Sequence, residues 1–378
     1  MNHEQRFDSL TQLLHQQQTL WRPRAFKGEP MAWQERYPAL ERALLCLPES
    51  QVEDFQHDDL ALAEWLQSYL PFARELQSLA ALAPLPARQL PRFDSHFHTG
   101  IPGRKWDQLR AFAASLPDVA QAAEYLEWCA GKAHLGRCMH HLHGRQVTSL
   151  EWDANLVAQG RTLSARAQMA VEVEAVDVMS AQARQFLRPR QHALALHACG
   201  PLHQQLLRLG AEAGVQSLSI APCCFHKAYR GGQEPVECQR LSHRARQGGI
   251  ELSREDLQTV VQETVTAGGH ARRQRERLQA WRLGFDLLQR QVRGIDEYWP
   301  VPSLPGKLAT GDFVAFCAAA AASKALELPA ELDWQHYEEA GAKRLRQVAA
   351  LDLVRLLFRR PLEVWLVLDY ALYLQDKG

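Results

Sequence analysis

Apolar residues in the first ninety positions recur at helical spacing, with prolines between the stripes. Leu10, Leu13, Leu14 and Leu20-Trp21 form one stripe, ended by Pro23. Trp33, Tyr37, Leu40, Leu44 and Leu45 form a second, ended by Pro48, and a third runs from Leu60 to Leu82, interrupted at Pro71. Period-two alternation does not occur there, which predicts a helical N-terminal domain over 1–90. From Glu124 the rhythm changes. Short apolar runs at 124–129, 147–151, 171–176, 193–198 and 216–221 alternate with helical runs at about 133–143, 154–168, 179–187 and 201–213. Short runs without polar alternation fit strands buried on both faces, and their alternation with helices predicts a doubly wound parallel α/β sheet.

In such a sheet a ligand sits at the carboxyl ends of the strands. Those ends carry Glu127 to Gly131, Glu151-Trp152-Asp153, Asp177-Val178, His197-Ala-Cys199-Gly200 and Pro222-Cys-Cys-Phe-His-Lys227. Acids and titratable groups thus gather where the fold predicts a site. After Lys227 the sheet pattern stops. A mainly helical insertion over 228–306 follows, then helical runs at 308–323, about 334–357 and about 361–376.

Lys+Arg and Asp+Glu are both 43, so no overall field draws the molecule to nucleic acid or membrane. The exception is local. His270–Gly294 holds Arg272, Arg273, Arg275, Arg277, Arg282, Arg290 and Arg293 against Glu276 and Asp286. Its stripe of Leu278, Trp281, Phe285 and Leu288 turns inward on a helix and leaves guanidiniums outside, either as a solvated face or as a surface for RNA phosphates. Eight cysteines show no C-x-x-C spacing and no small disulfide framework. The N-terminus has polar helix character, and no run approaches the roughly 18 apolar residues of a membrane span. A cytoplasmic location with reduced thiols is expected.

Asp94-x-His96-x-His98 has the look of a metal-binding strand, but that fold requires further strand-end ligands over a longer series of βα units. The histidines are read as members of a polar loop. A zinc site of Cys223, Cys224, His226 and His197 has adjacent rather than spaced thiolates. No metal is assigned.

Glu151 lies twenty residues after Gly131, where an acid can accept both ribose hydroxyls of an adenosine-containing cofactor. Two cofactor classes compete. A pyrophosphate requires close backbone approach, hence G-x-G-x-x-G, whereas this turn reads Cys129-Ala-Gly131-Lys-Ala133-His with one glycine. Acids after strands one, two and three fit S-adenosyl-L-methionine better than NAD, with Asp177 suited to the adenine amino group.

Leu126-Glu-Trp-Cys-Ala-Gly-Lys-Ala-His-Leu-Gly136, Ala195-Leu-His-Ala-Cys-Gly200 and Ala221-Pro-Cys-Cys-Phe-His-Lys227 occur in that order. Together they resemble the class I methyltransferase domain of the methyltransferase-like 25 proteins, the glutathione S-transferase C-terminal-domain-containing proteins and the tRNA 2′-O-methyltransferases that modify position four. The resemblance implies a Rossmann-like methyltransferase core over 91–227, with C-terminal helices over 307–378 completing it. It also implies a cofactor loop of Glu127, Cys129, Gly131 and Ala133, departing from the family in Glu127 for Asp and in side chains at 129 and 133. Glu151 would be the ribose acid and Asp177 the adenine contact, and Trp152, Val178 and His197 join them in the cofactor-binding set. Cys223, Cys224, His226 and Lys227 stand where amino-methylating enzymes of this fold carry Asn/Asp-Pro-Pro-Tyr. There His226 is the candidate base, Lys227 the orienting cation and the two cysteines the channel wall.

The implied function is S-adenosylmethionine-dependent methyl transfer, with RNA, tRNA included, as candidate acceptor through Arg272, Arg273, Arg275 and Arg277. A catalytically silent binding module and an NAD(P)-linked oxidoreductase are the alternatives. In the resembled family a β-hairpin after the last helix completes seven strands; here 361–374 reads as a helix, so a shortened sheet is expected.

Overall fold

Five short strands set the frame: β1 (Glu124–Trp128), β2 (Val147–Glu151), β3 (Val171–Ala175), β4 (Gln191–Cys199) and β5 (Ser217–Cys223). The computed structural model describes residues 1–28, 30–94, 97–116, 122–227, 240–248, 250–261, 269–302 and 311–378, the side chains of 269–271 excepted. The strands pair in the order β3-β2-β1-β4-β5, all parallel. The order reverses between β1 and β4, so the crevice outside their carboxyl ends is the predicted ligand position.

Each face of the sheet has its own core. Tyr125, Val147, Val171, Val173 and Leu194 pack with Leu109, Leu135, Met139 and Val157, which come from the helices Gly103–Ser115, His134–His143 and Ala154–Arg166. Leu126, Trp128, Leu150, Ala193 and Ala195 turn to the opposite side and pack with Ala183 and with Leu206 of the helix Pro201–Glu212. The doubly wound α/β, Rossmann-like class read from the sequence is therefore the observed one. One strand departs from the expected pattern. Val171-Glu-Val-Glu-Ala175 buries its valines and exposes Glu172, because β3 is an edge strand with one face in reach of water. The segment after β3 makes a 3₁₀ turn, Ala181–Phe186, rather than the α-helix that the run at 179–187 suggests.

Residues 1–8, 81–261 and 365–378 form the unit that carries the sheet, and residues 9–80 and 262–364 form a second, helical unit. The sequence divides by order into 1–90, 91–227, 228–306 and 307–378; contacts gather it differently, because burial does not respect chain order. In the first unit the end of the helix Arg359–Lys377 is tied in by polar contacts. Buried Tyr370 meets His203 Nε2 at 3.0 Å and Gln204 Nε2 at 3.1 Å. Fully buried Asp369 accepts the backbone N–H groups of Leu241 and Ser242 at 2.9 and 2.8 Å. Residues 361–374 are helical, as the sequence predicts, and the sheet has five strands among the described residues.

The second unit contains the helices Ala32–Arg36, Pro38–Leu45, Glu49–His57, Asp59–Leu66 and Ala73–Ala80. The sequence stripe of the helix Gly269–Arg293 turns inward as predicted: Trp281, Phe285 and Leu288 are buried with Phe313, Phe316 and Tyr337. Among the described residues no helix is long and apolar enough to cross a membrane.

Candidate functional site

The turn after β1 keeps the backbone of a glycine loop with only one glycine, Gly131, in it. Cys129, Gly131 and Ala133 all have positive φ, at 56°, 60° and 55°. An L-residue held left-handed costs roughly 1–2 kcal/mol, so the surroundings must enforce this shape at 129 and 133. Glu151 does part of that. Its Oε2 accepts the Gly131 N–H at 2.8 Å, while Oε1 accepts the Asp153 N–H at 3.0 Å. Each carboxylate oxygen accepts a second bond, so both retain capacity for ligand hydroxyls.

Glu127 lies one layer below. Its Oε2 accepts the Gly136 N–H at 3.0 Å and the Ser149 hydroxyl at 2.7 Å. Burial pushes this carboxyl up to about 7, against the bonds from Ser149 and Gly136 and the charge of Lys105. A Cβ at position 136 would lie 2.7 Å from both Glu127 Oε2 and Ser149 Oγ. Gly136, in the first turn of the helix His134–His143, is therefore where glycine is required, not Ala133. Gly136 ends the Leu126–Gly136 motif, and its spacing alone does not mark this role.

A cleft of about 190 Å³ opens beside the turn, lined by Cys129, Glu151, Trp152, Asp177, Val178 and Leu202 among others. Such a volume is below the roughly 300–1,000 Å³ of whole ligand pockets and matches one part of a cofactor. Trp152 is 63% exposed on this rim, an unusual position for an indole unless something covers it. Asp177 holds the turn after β3 by accepting the Met179 N–H at 3.0 Å. Leu202 is anchored by the Trp128 indole N–H, which donates to its carbonyl at 2.9 Å. Cys129 remains a thiol, since burial, then the charges of Glu151, Cys199 and Asp177, pushes it up to about 12.

The structure thus brings Cys129, Glu151, Trp152, Asp177 and Val178 to one cleft, with Gly131 and Ala133 in the turn beside it. His197 is not on the cleft's lining. It is exposed at the end of β4 with φ 68°, and desolvation, then the charge of Lys105, lowers it from the ordinary imidazole range.

At the ends of β4 and β5 the side chains change from acids to thiols. Cys199 and Cys223 are register partners, with Sγ atoms 3.6 Å apart, and Lys227 Nζ lies 4.0 Å from Cys199 Sγ. Hydrogen bonding from Cys223 holds Cys199 below the usual thiol range, helped by Cys224 and the Lys227 ammonium, and the same bond pushes Cys223 up. Gly200 has φ 55° and lies against the Lys227 carbonyl, where any Cβ would collide. Burial, then the charges of Arg254 and Lys227, lowers His226 from the ordinary imidazole range, so the ring is neutral near pH 7. Its buried Nδ1 has no hydrogen-bond partner among the described residues. Cys199 is the residue here that sequence reasoning did not assign, although His-x-Cys-Gly contained it.

Away from the sheet, His98 stacks on Trp106 with ring centroids 5.5 Å apart, and His96 lies outside the described residues. In the second unit Arg272, Arg273, Arg275 and Arg277 are exposed. Arg272 pairs with Glu276 at 3.6 Å and Arg277 lies over Trp281. Arg290 is not part of that surface: it bonds buried Asp286 at 3.0 Å and also pairs with Asp296, so the segment's outward charge is smaller than its composition suggests.

Residues 104–230 match the family model described as a methyltransferase domain. That span, about a third of the chain, contains all five strands and every strand-end residue named above. No curated protein matches the chain.

Proposed function

We propose that the sheet-bearing unit is an S-adenosyl-L-methionine-dependent methyltransferase. The observation that carries this is Glu151. It closes the β1 turn with one oxygen, opens onto the cleft between Trp152 and Asp177, and belongs to a span matching a methyltransferase domain. The cleft lacks the three-glycine approach a pyrophosphate requires, which favours this cofactor over NAD(P). When bound, S-adenosylmethionine supplies an electrophilic methyl carbon on a sulfonium.

The chain's own residues then have three tasks. Glu151 and Asp177 accept hydrogen bonds from the ribose and the adenine amino group, and Trp152 covers the base. Gly131, Cys129 and Ala133 shape the turn. At the ends of β4 and β5 the neutral His226 takes the acceptor's proton, Lys227 orients an anionic group beside it, and Cys223 with Cys224 forms the wall. In-line displacement asks for little more than positioning and proton removal.

RNA is the acceptor class that the exposed Arg272, Arg273, Arg275 and Arg277 fit, and the resemblance to tRNA 2′-O-methyltransferases supports it. Calorimetry with S-adenosylmethionine tests the cofactor: binding heat and a raised melting temperature are expected, and neither appearing overturns the reading in favour of a silent binding module. For the acceptor, affinity for bulk tRNA is expected to fall with salt and to weaken on joint Arg272→Ala and Arg273→Ala substitution. Affinity indifferent to both removes RNA from the proposal.

A further inference from the structure

The thiols at the ends of β4 and β5 converge on one another, which a wall of Cys223 and Cys224 does not by itself require. Cys199 and Cys223 face each other as register partners across two parallel strands. Cys224 should point the other way, because successive residues in a strand alternate between faces. It does not, because its backbone is left-handed, with φ 47°. The chain turns at that residue and all three Sγ atoms lie within 4.8 Å of one another. Adjacent thiolates, an objection when only the sequence is considered, converge once one of them sits in that turn.

The arrangement is maintained at a cost. Cys224 itself and His197, two residues before Cys199, are both non-glycine residues with positive φ, a conformation that L-residues adopt only under strain. Strain of this kind persists where the surroundings impose it and clusters at ligand sites. The cysteines are only half-buried, so an ion has access to them. Zn–S bonds of about 2.3 Å in a tetrahedron place ligand sulfurs about 3.8 Å apart, and the Cys199–Cys223 separation is 3.6 Å.

We propose that Cys199, Cys223 and Cys224 bind one thiophilic divalent cation of the zinc class, with water in the fourth position. Three thiolates around a divalent ion leave one net negative charge, which the Lys227 ammonium 4.0 Å from Cys199 Sγ offsets. Each thiol that becomes a ligand gives up its proton to solvent, so binding weakens as pH falls. The proposal stands on the sulfur geometry alone and is independent of the methyl-transfer reading.

The reduced, metal-stripped full-length chain is titrated with Co²⁺, and with Zn²⁺ against a chromophoric chelator. The expected result is about one equivalent bound, with thiolate-to-cobalt charge-transfer absorption and the ligand-field bands of a tetrahedral ion. Cys199→Ser, Cys223→Ser and Cys224→Ser should each weaken binding by roughly tenfold or more, while Cys46→Ser, distant in sequence and exposed, leaves it unchanged. The wild-type melting temperature should also rise with Zn²⁺, a readout that does not depend on the variants folding. A wild-type chain that gives no cobalt–thiolate absorption overturns the proposal, as does binding that persists undiminished in Cys224→Ser. Calorimetry with S-adenosylmethionine on the same metal-stripped preparation reads the methyl-transfer proposal separately.

Discussion

The two ends of the crevice use the same backbone device for different chemistry. After β1, left-handed Cys129 and Ala133 occupy positions where glycine would be unstrained; the β2 carboxylate holds the turn by the Gly131 N–H, and the β1 carboxylate holds the start of the next helix by the Gly136 N–H. At the ends of β4 and β5, His197 and Cys224 are again left-handed where glycine would be unstrained, but what gathers there is sulfur. In the first region the enforced conformation preserves a turn despite its side chains. In the second it changes where side chains point. A positive φ at a non-glycine position is therefore informative only together with what it moves.

The largest test of this contrast is Glu151→Ala. It removes the acceptor of the Gly131 N–H and the proposed ribose contact at once. S-adenosylmethionine binding should fall by about two orders of magnitude or more, since a buried charge-assisted bond contributes roughly 1.5–3 kcal/mol and two kinds are lost. Retained affinity by calorimetry would show that the turn is held by something else. Gly136→Ala comes next. Its new methyl meets Glu127 and Ser149 at 2.7 Å, and overpacking of this kind costs roughly 1–3 kcal/mol, measurable by urea unfolding.

Glu127 supplies a pH test of intermediate size. Its folded carboxyl is raised from 4.5 to about 7, so the folded state binds more protons than the unfolded state between those values. Its contribution to stability is fully present below pH 4.5 and is lost as pH rises through 7. Relative to Glu127→Gln, the wild type should therefore lose about 2 kcal/mol between pH 5 and 8. A constant difference in unfolding free energy across that window would count against a buried, protonated Glu127. The smallest effect is expected from Cys129→Gly. Relief of left-handed strain, about 1 kcal/mol, is largely offset by the unfolded-state entropy of glycine. Stability should barely move, while the widened turn binds S-adenosylmethionine a few-fold more tightly.

The sheet was the most legible part of the sequence because buried parallel strands appear as short apolar runs, and all five fall within three residues of their expected bounds. The acids at 127, 151 and 177 were legible for a related reason: a strand end followed by a helix start fixes where the crevice must be. His197 was assigned to the cofactor because its position in the chain is right, yet a bulge between Leu196 and Cys199 takes it off the cleft lining. That same irregularity precedes Cys199, whose pairing with Cys223, 24 residues on, depends on register between two strands, which spacing alone does not reveal. Arg290 was counted in a basic surface because composition cannot distinguish a guanidinium facing water from one bonded to buried Asp286.

Asp369, reaching back to Leu241 and Ser242, also bears on how the protein is made. Residues 262–364 belong to the other unit, yet they are synthesised before the helix that supplies Asp369 and Tyr370. The sheet-bearing unit therefore cannot satisfy the buried His203 and Gln204, or fix the start of its own 241–261 segment, until more than a hundred later residues have left the ribosome. Its completion is a late, long-range closure, and β5, an edge strand in the finished sheet as well, must be kept from its neighbours in the meantime.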